Sequence, residues 1–124
     1  MAALIARAQA LNQTRQKLLA AEVAIADTHW SRLRGLIGVS QNDFSNGRGL
    51  WIRPCHGVHT VAMRFPIDVL YLDRAGRVVH LEHDLPPWRF SRVLTRAASV
   101  LELPSHTLSG TGTALGDCIA ITMK

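Results

Sequence analysis

The sequence predicts an α+β domain that is mainly β, with a compact antiparallel sheet curled or closed into a small barrel and one or two short helices. Three observations lead to this prediction. Short apolar runs follow one another closely from residue 50 onwards. Gly, Pro and Asp residues separate these runs, and helical spacing is clear in one segment alone. A chain of 124 residues fits a single domain, residues 1–124.

The N-terminal segment, residues 4–26, allows two interpretations. Its many alanines favour a helix. The run at residues 23–26, however, has the character of a strand end, and residues 12–14 could turn a hairpin between two strands. The residues by themselves leave both interpretations open.

A short helix is predicted at residues 29–37. Asp27 and Thr28 provide an N-cap signal, and the apolar residues that follow recur at helical spacing. Gly38 ends the pattern. Residues 40–49 are polar and contain Asn46-Gly47, so we expect a loop there.

Strands dominate the remainder, residues 50–122. The predicted extended segments are residues 50–52, 58–65, 69–72, 77–82, 99–103 and 118–122. Residues 69–72 form a continuous apolar run, which is typical of a strand buried on both faces. The turn at residues 73–76 joins this run to the next one, and together they make the clearest β-hairpin of the chain.

Charge and apolar content limit the class of protein. The net charge is +5, and twelve of the fourteen basic residues are Arg, yet they are spread along the chain without a basic cluster or a phosphate-binding loop. This distribution disfavours nucleic-acid binding. The apolar run at residues 2–6 is interrupted by Arg7 and is too short for a secretory signal or a membrane span. We therefore expect no membrane anchor and a cytoplasmic location.

The segment Cys55-His56-Gly57-Val58-His59 has the residue types of a metal site or an activated thiol. In an extended chain Cys55 and His59 would lie about 13 Å apart, too far to share one ion. Two cysteines are also too few for a disulfide framework. A metal or thiol site using Cys55, His56 and His59 is therefore the weaker alternative, and a buried reduced thiol is the simpler interpretation.

A second polar group offers candidate ligand-binding residues. Alternation along the strand that contains Asp68 turns its carboxylate toward the interior, where it needs a partner. It could form a structural clasp with Arg64, Arg32 or a backbone N–H group. It could instead belong to a polar pocket for a small anionic or carbonyl ligand. The candidate ligand-binding residues are Arg32, His59, Thr60, Met63, Arg64 and Asp68.

The segment at residues 49–73, GLWIRPCHGVHTVAMRFPIDVLYLD, resembles the signature of domain-of-unknown-function family 192, a group of uncharacterised bacterial and archaeal proteins. Further motifs agree in order: residues 26–28, 32–36, 76–79, 86–89, 100–104 and 116–117. The resemblance implies a mainly β fold and a hairpin at residues 4–26. It implies no particular activity.

No complete nucleophile–base pair or metal constellation is evident in the sequence. We therefore predict a non-enzymatic binding or accessory domain, without a cofactor, that acts on a small ligand or a protein partner. The alternatives are a metal-binding or thiol-dependent enzyme built on Cys55, His56 and His59, and an Arg-mediated nucleic-acid binder.

Overall fold

The computed structural model describes residues 5–124, so residue 4 of the predicted hairpin and residues 2–4 of the N-terminal apolar run lie outside it. Within the described range there are seven strands and two short helices. The mainly β prediction is confirmed. In chain order the elements are β1 (Ala6–Asn12), β2 (Lys17–Ala26), α1 (His29–Arg34), β3 (Arg48–Ile52), β4 (Ile67–Leu72), β5 (Val78–Leu85), β6 (Ser99–Pro104), α2 (Thr107–Thr111) and β7 (Ile119–Met123).

The strands form one mixed sheet in the order β5-β4-β6-β3-β2-β1-β7. Neighbouring strands are antiparallel except β2 and β3, which run parallel. Parallel neighbours require a crossover connection. Here residues 27–47, which include α1, provide it. Strands β1 and β2 form a hairpin over residues 6–26.

The sheet is curled, and it stays open over the residues that the structure describes. Its two edge strands, β5 and β7, approach each other at one end through an isolated bridge between Arg77 and Cys118. At this point Ile119 N donates to Gly76 O at 2.8 Å, and Val78 N donates to Asp117 O at 2.9 Å. Both "curled" and "closed" were compatible with the sequence, and the structure has the curled form.

Apolar side chains pack on both faces of the sheet. Strand β4 is buried along its whole length, as its continuous apolar run predicts. Val69 and Tyr71 face one cluster, and Leu70 and Leu72 face the other. The first cluster extends beneath the loops that carry the candidate site. No helix in residues 5–124 is long and apolar enough to cross a membrane.

Helix α1 is shorter than the predicted segment at residues 29–37. It begins at the N-cap Thr28, whose side chain accepts from Ser31 N at 3.0 Å. It ends at Arg34 because Gly35 adopts φ of 52° and leaves the helical conformation. The apolar spacing through residue 37 therefore continues into a turn beyond the helix.

The segment at residues 58–65, predicted to be extended, is not a strand. It lies in the β3–β4 loop (residues 53–66), which pairs with the β5–β6 loop (residues 86–98) through an isolated bridge between His59 and Phe90. A turn follows, in which Met63 N donates to Thr60 O at 3.1 Å and Ala62 has φ of 64°. An unbroken strand would place Cys55, His59 and Met63 on one face, and the turn interrupts that alternation.

Candidate functional site

A cleft of about 560 Å³ lies between α1, the β3–β4 loop and the β5–β6 loop. Its volume falls within the range of small-molecule sites in proteins. The side chains that matter for its chemistry are Glu102 of β6, Arg32 and His29 of α1, and Cys55 and His56 of the β3–β4 loop. We refer to this space as the Glu102 cleft.

Glu102 is the most unusual residue of this cleft. It is 2% exposed, and its Oε1 atom has no hydrogen-bond partner among the described residues. Burial raises the pKa of its carboxyl group to about 8, because the charged form is poorly solvated there. A carboxyl group in this position is mostly protonated at neutral pH.

The sheet explains why an acid occupies this place. Glu102 lies opposite Leu50 of β3 and opposite Val69 of β4, so apolar strand neighbours flank it on both sides. Side-chain alternation along β6 puts Glu102 on the same face as Val100, while Leu101 and Leu103 point into the opposite cluster. The sequence signal for Glu102 is an acid inside the apolar run Val100–Pro104, which does not by itself indicate a functional role.

Cys55 lines the same cleft as a protonated thiol. Its Sγ atom donates to Gly57 O at 3.0 Å. Partial burial is the largest effect and raises the thiol pKa, and Glu102 raises it further. The hydrogen bond to Gly57 and the charge of Arg32 lower the pKa by smaller amounts. The thiolate is the reactive form of cysteine, so this environment does not activate the side chain.

Three histidines line the cleft, and each is held by a hydrogen bond. His56 Nδ1 donates to Ala97 O at 2.7 Å. His59 Nδ1 accepts from Val61 N at 3.2 Å while its Nε2 donates to Leu33 O at 3.2 Å, so both ring nitrogens are used. Within residues 5–124 no three His, Cys, Asp or Glu side chains are placed to hold one metal ion.

Arg32 also lines the Glu102 cleft. Its Nη1 donates to Pro54 O at 3.1 Å, and its Nη2 donates to His29 Nδ1 at 3.1 Å. Arg32 Nε also donates to Thr28 O at 3.3 Å, and no ion pair between Arg32 and a carboxylate occurs in the described part of the chain. The guanidinium charge is therefore fixed in place and available to an anionic group.

The rim of the cleft is apolar and exposed. Leu33, Phe90 and Val93 are 63%, 79% and 72% exposed. The two loops that carry the rim are in close contact, since a Cβ atom at Gly57 would come within 2.8 Å of Arg92 O. An apolar ligand in the cleft would cover side chains that water now surrounds.

The other sequence-predicted site residues lie away from this cleft. Thr60 is buried, and its Oγ1 donates to Pro86 O at 2.6 Å, so it fastens the two loops together. Met63 packs in the core and Arg64 is exposed. The Asp68 carboxylate accepts from Asp84 N and from Leu108 N, each at 2.9 Å, which is the clasp geometry with backbone N–H groups. The structure thus brings together Arg32, Cys55, His56 and His59 of the predicted residues.

Comparison with known proteins gives family and fold. The family described as "Uncharacterized ACR", domain-of-unknown-function family 192, matches residues 10–121. A UPF0127 protein of Thermococcus sibiricus (strain DSM 12597 / MM 739) is 30% identical over 112 residues, which cover 86% of this chain and 70% of the relative.

Two solved structures share the fold, each with a TM-score of 0.77. One is a protein of unknown function from Novosphingobium aromaticivorans DSM 12444, 14% identical, with 92% of this chain and 83% of that chain covered. The other, from Sinorhizobium meliloti 1021, is described as a candidate transcription regulator; it is 18% identical, with 98% and 97% covered. On the extent of the family match, this chain belongs to domain-of-unknown-function family 192.

Proposed function

We propose that this protein is a non-enzymatic binding domain whose ligand is a small molecule held in the Glu102 cleft. The observation that carries the proposal is the buried Glu102 carboxyl group, which lines the cleft and has an Oε1 atom without a partner among residues 5–124. Leaving a buried polar atom without a hydrogen bond costs about 1–3 kcal/mol. A ligand that supplied the missing hydrogen bond would recover part of that cost.

The shape of the site favours a small molecule over a protein surface. A flat partner could cover the exposed rim formed by Leu33, Phe90 and Val93. It would not reach Glu102, which is 2% exposed and lies on the inner face of the sheet. Rotation about the terminal torsion of Glu102 is soft and would present either carboxyl oxygen to a ligand inside the cleft.

The enzyme alternative has less support from this geometry. A thiol-dependent mechanism needs a thiolate, whereas burial raises the pKa of Cys55. A metal-dependent mechanism needs free ligand atoms, whereas both ring nitrogens of His59 are already hydrogen-bonded. Cys55 and His59 therefore serve as lining of the cleft and not as catalytic groups.

The nucleic-acid alternative rests on surface charge. Residues 29–34 and residues 88–96 both contain Arg residues, and neither segment contains Asp or Glu. One structural neighbour is described as a candidate transcription regulator. The 18% identity to that neighbour supports a shared fold and nothing more specific. Affinity for a short DNA duplex that falls steeply with salt would favour this alternative over the binding cleft.

Anilinonaphthalenesulfonate is a suitable first probe, since it combines an apolar body for the cleft with an anion for Arg32. We expect saturable fluorescence enhancement with one site, and a loss of affinity of about tenfold in Val93→Glu. Leu115→Glu is the matched control, because Leu115 is 64% exposed and is not part of the cleft lining. Equal dye affinity in the two variants, or no saturable binding, would overturn the proposal.

A further inference from the structure

The chemical character of the Glu102 cleft also limits the ligand, provided that the proposed binding function holds. Glu102 lies between Leu50 and Val69, and none of the hydrogen bonds or ion pairs within residues 5–124 engages its Oε1 atom. An ionised carboxylate without a partner is strongly disfavoured in such a place. The group that a ligand meets is therefore a neutral carboxylic acid.

A neutral carboxylic acid has a definite hydrogen-bonding pattern. It offers one O–H donor beside one carbonyl-type acceptor. The group complementary to this pattern carries an acceptor and a donor side by side. An amide, with its C=O and N–H groups, has that arrangement and can form two parallel hydrogen bonds with the acid.

Charged head groups fit less well. An amine cation would share the cleft with the Arg32 guanidinium, and it would require Glu102 to ionise between apolar strands. A carboxylate next to Glu102 would itself be buried between the apolar neighbours Leu50 and Val69. An anionic group is better accommodated at the Arg32 guanidinium.

We infer that the Glu102 cleft binds molecules in which an uncharged amide or lactam group is joined to an apolar body, with the amide paired to the Glu102 carboxyl group. The apolar body would contact Ile52, Val58 and Phe90 along the walls and rim. An anionic substituent, where the molecule has one, would lie near Arg32.

Three matched probes test the inference: benzamide, benzylamine and benzoate, which differ only in the head group. We expect benzamide to bind the wild-type protein at pH 7 about tenfold more tightly than either charged probe, as measured by ligand-observed NMR titration. Glu102→Gln retains an adjacent donor and acceptor and should bind benzamide within about threefold of the wild type. Glu102→Leu should lose about tenfold.

The pH dependence provides a second measurement, which does not require Glu102→Leu to fold. Benzamide affinity of the wild type should fall as the pH rises above 8, and that of Glu102→Gln should stay constant. Tightest binding by benzylamine, or identical pH profiles of the two proteins, would overturn the inference. If the dye still binds at the cleft in that case, the proposed function stands and only the ligand class is wrong. If neither the dye nor benzamide binds, both fail.

Discussion

The hydroxyl group of Tyr71 donates to Ser91 Oγ at 2.6 Å, and this contact ties the buried strand β4 to the β5–β6 loop. Ser91 Oγ in turn accepts from Val58 N at 2.8 Å, which adds the β3–β4 loop. Glu82 Oε2 lies 3.0 Å from the same tyrosine oxygen and also accepts from Arg92 N at 2.9 Å. The two loops that flank the Glu102 cleft are thus fastened to the sheet at one point.

Replacing Tyr71 by Phe should loosen both walls of the cleft at once. The substitution keeps the ring and removes the hydroxyl group that donates to Ser91 Oγ, so we expect a loss of about 1 kcal/mol in the free energy of unfolding. Urea denaturation measures this loss, and dye titration should show weaker binding in the same variant. A stability change within about 0.5 kcal/mol would contradict the fastening role.

Asp68 is expected to be a structural clasp, and substitutions at Asp68 and at Arg64 can test that role. Its two carboxylate oxygens accept from the backbone N–H groups of Asp84 and Leu108. In Asp68→Asn the amide NH₂ would face one of these donors, so we expect a loss of about 1–3 kcal/mol in unfolding free energy. Arg64 is exposed, and Arg64→Ala should change stability by about 0.5 kcal/mol or less. If Arg64→Ala were equally destabilising, Arg64 would be the partner of Asp68 after all.

Some of this fold follows directly from local sequence signals. Residues 69–72 are apolar without interruption, which is typical of a strand covered on both faces, and β4 is such a strand. The turn at residues 73–76 contains Asp73, whose Oδ1 accepts from Ala75 N and Arg77 N at 2.9 Å each. In these places the local chemistry and the global fold agree.

The candidate site depends on contacts that the sequence does not contain. The β3–β4 loop has a strand-like pattern, yet it pairs with another loop and turns at Ala62. The importance of Glu102 becomes apparent only when strand pairing places Leu50 and Val69 beside it. An extended chain would separate Cys55 from His59 by about 13 Å, whereas long-range pairing with the β5–β6 loop determines the geometry of this segment.

The buried acid should make stability depend on pH in an unusual direction. The pKa of Glu102 is raised from 4.5 to about 8 in the folded state. Below pH 4.5 both states are protonated and the full stability is present. As the pH rises from 4.5 through about 8, the unfolded state releases the proton first, so the unfolding free energy falls.

Glu102→Gln removes this titration and should flatten the stability profile across that window. Urea denaturation between pH 5 and 9 should therefore show a smaller decrease for Glu102→Gln than for the wild type. The control Glu22→Gln alters an exposed acid in a surface pair with Lys124 and should retain the wild-type slope. Parallel profiles for all three proteins would show that Glu102 is solvated or ion-paired.

Asp117 should respond to acid in the opposite way. Arg15 Nε donates to Asp117 Oδ2 at 2.9 Å, and this contact is the largest cause that lowers the Asp117 pKa from 3.8 to about 2. Its contribution to stability is present above pH 3.8 and is lost as the pH falls toward about 2. In Arg15→Ala the Asp117 pKa should move up toward its ordinary value, as measured by NMR titration of the carboxyl carbon. An unchanged value would assign the depression to Asn12 and the backbone instead.

The reactivity of Cys55 separates the binding proposal from a thiol-dependent enzyme. Because burial raises the Cys55 pKa, little thiolate is present at neutral pH, and alkylation by iodoacetamide should be slower than in the urea-unfolded chain. The measurement uses Cys118→Ser, so that Cys55 is the single thiol of the protein. Because the Glu102 carboxyl group is mostly protonated at neutral pH, Glu102→Gln should leave the alkylation rate nearly unchanged there. Alkylation of the folded protein faster than that of the unfolded chain would mean that the cleft activates Cys55, and the thiol-dependent alternative would then replace the binding domain proposed above.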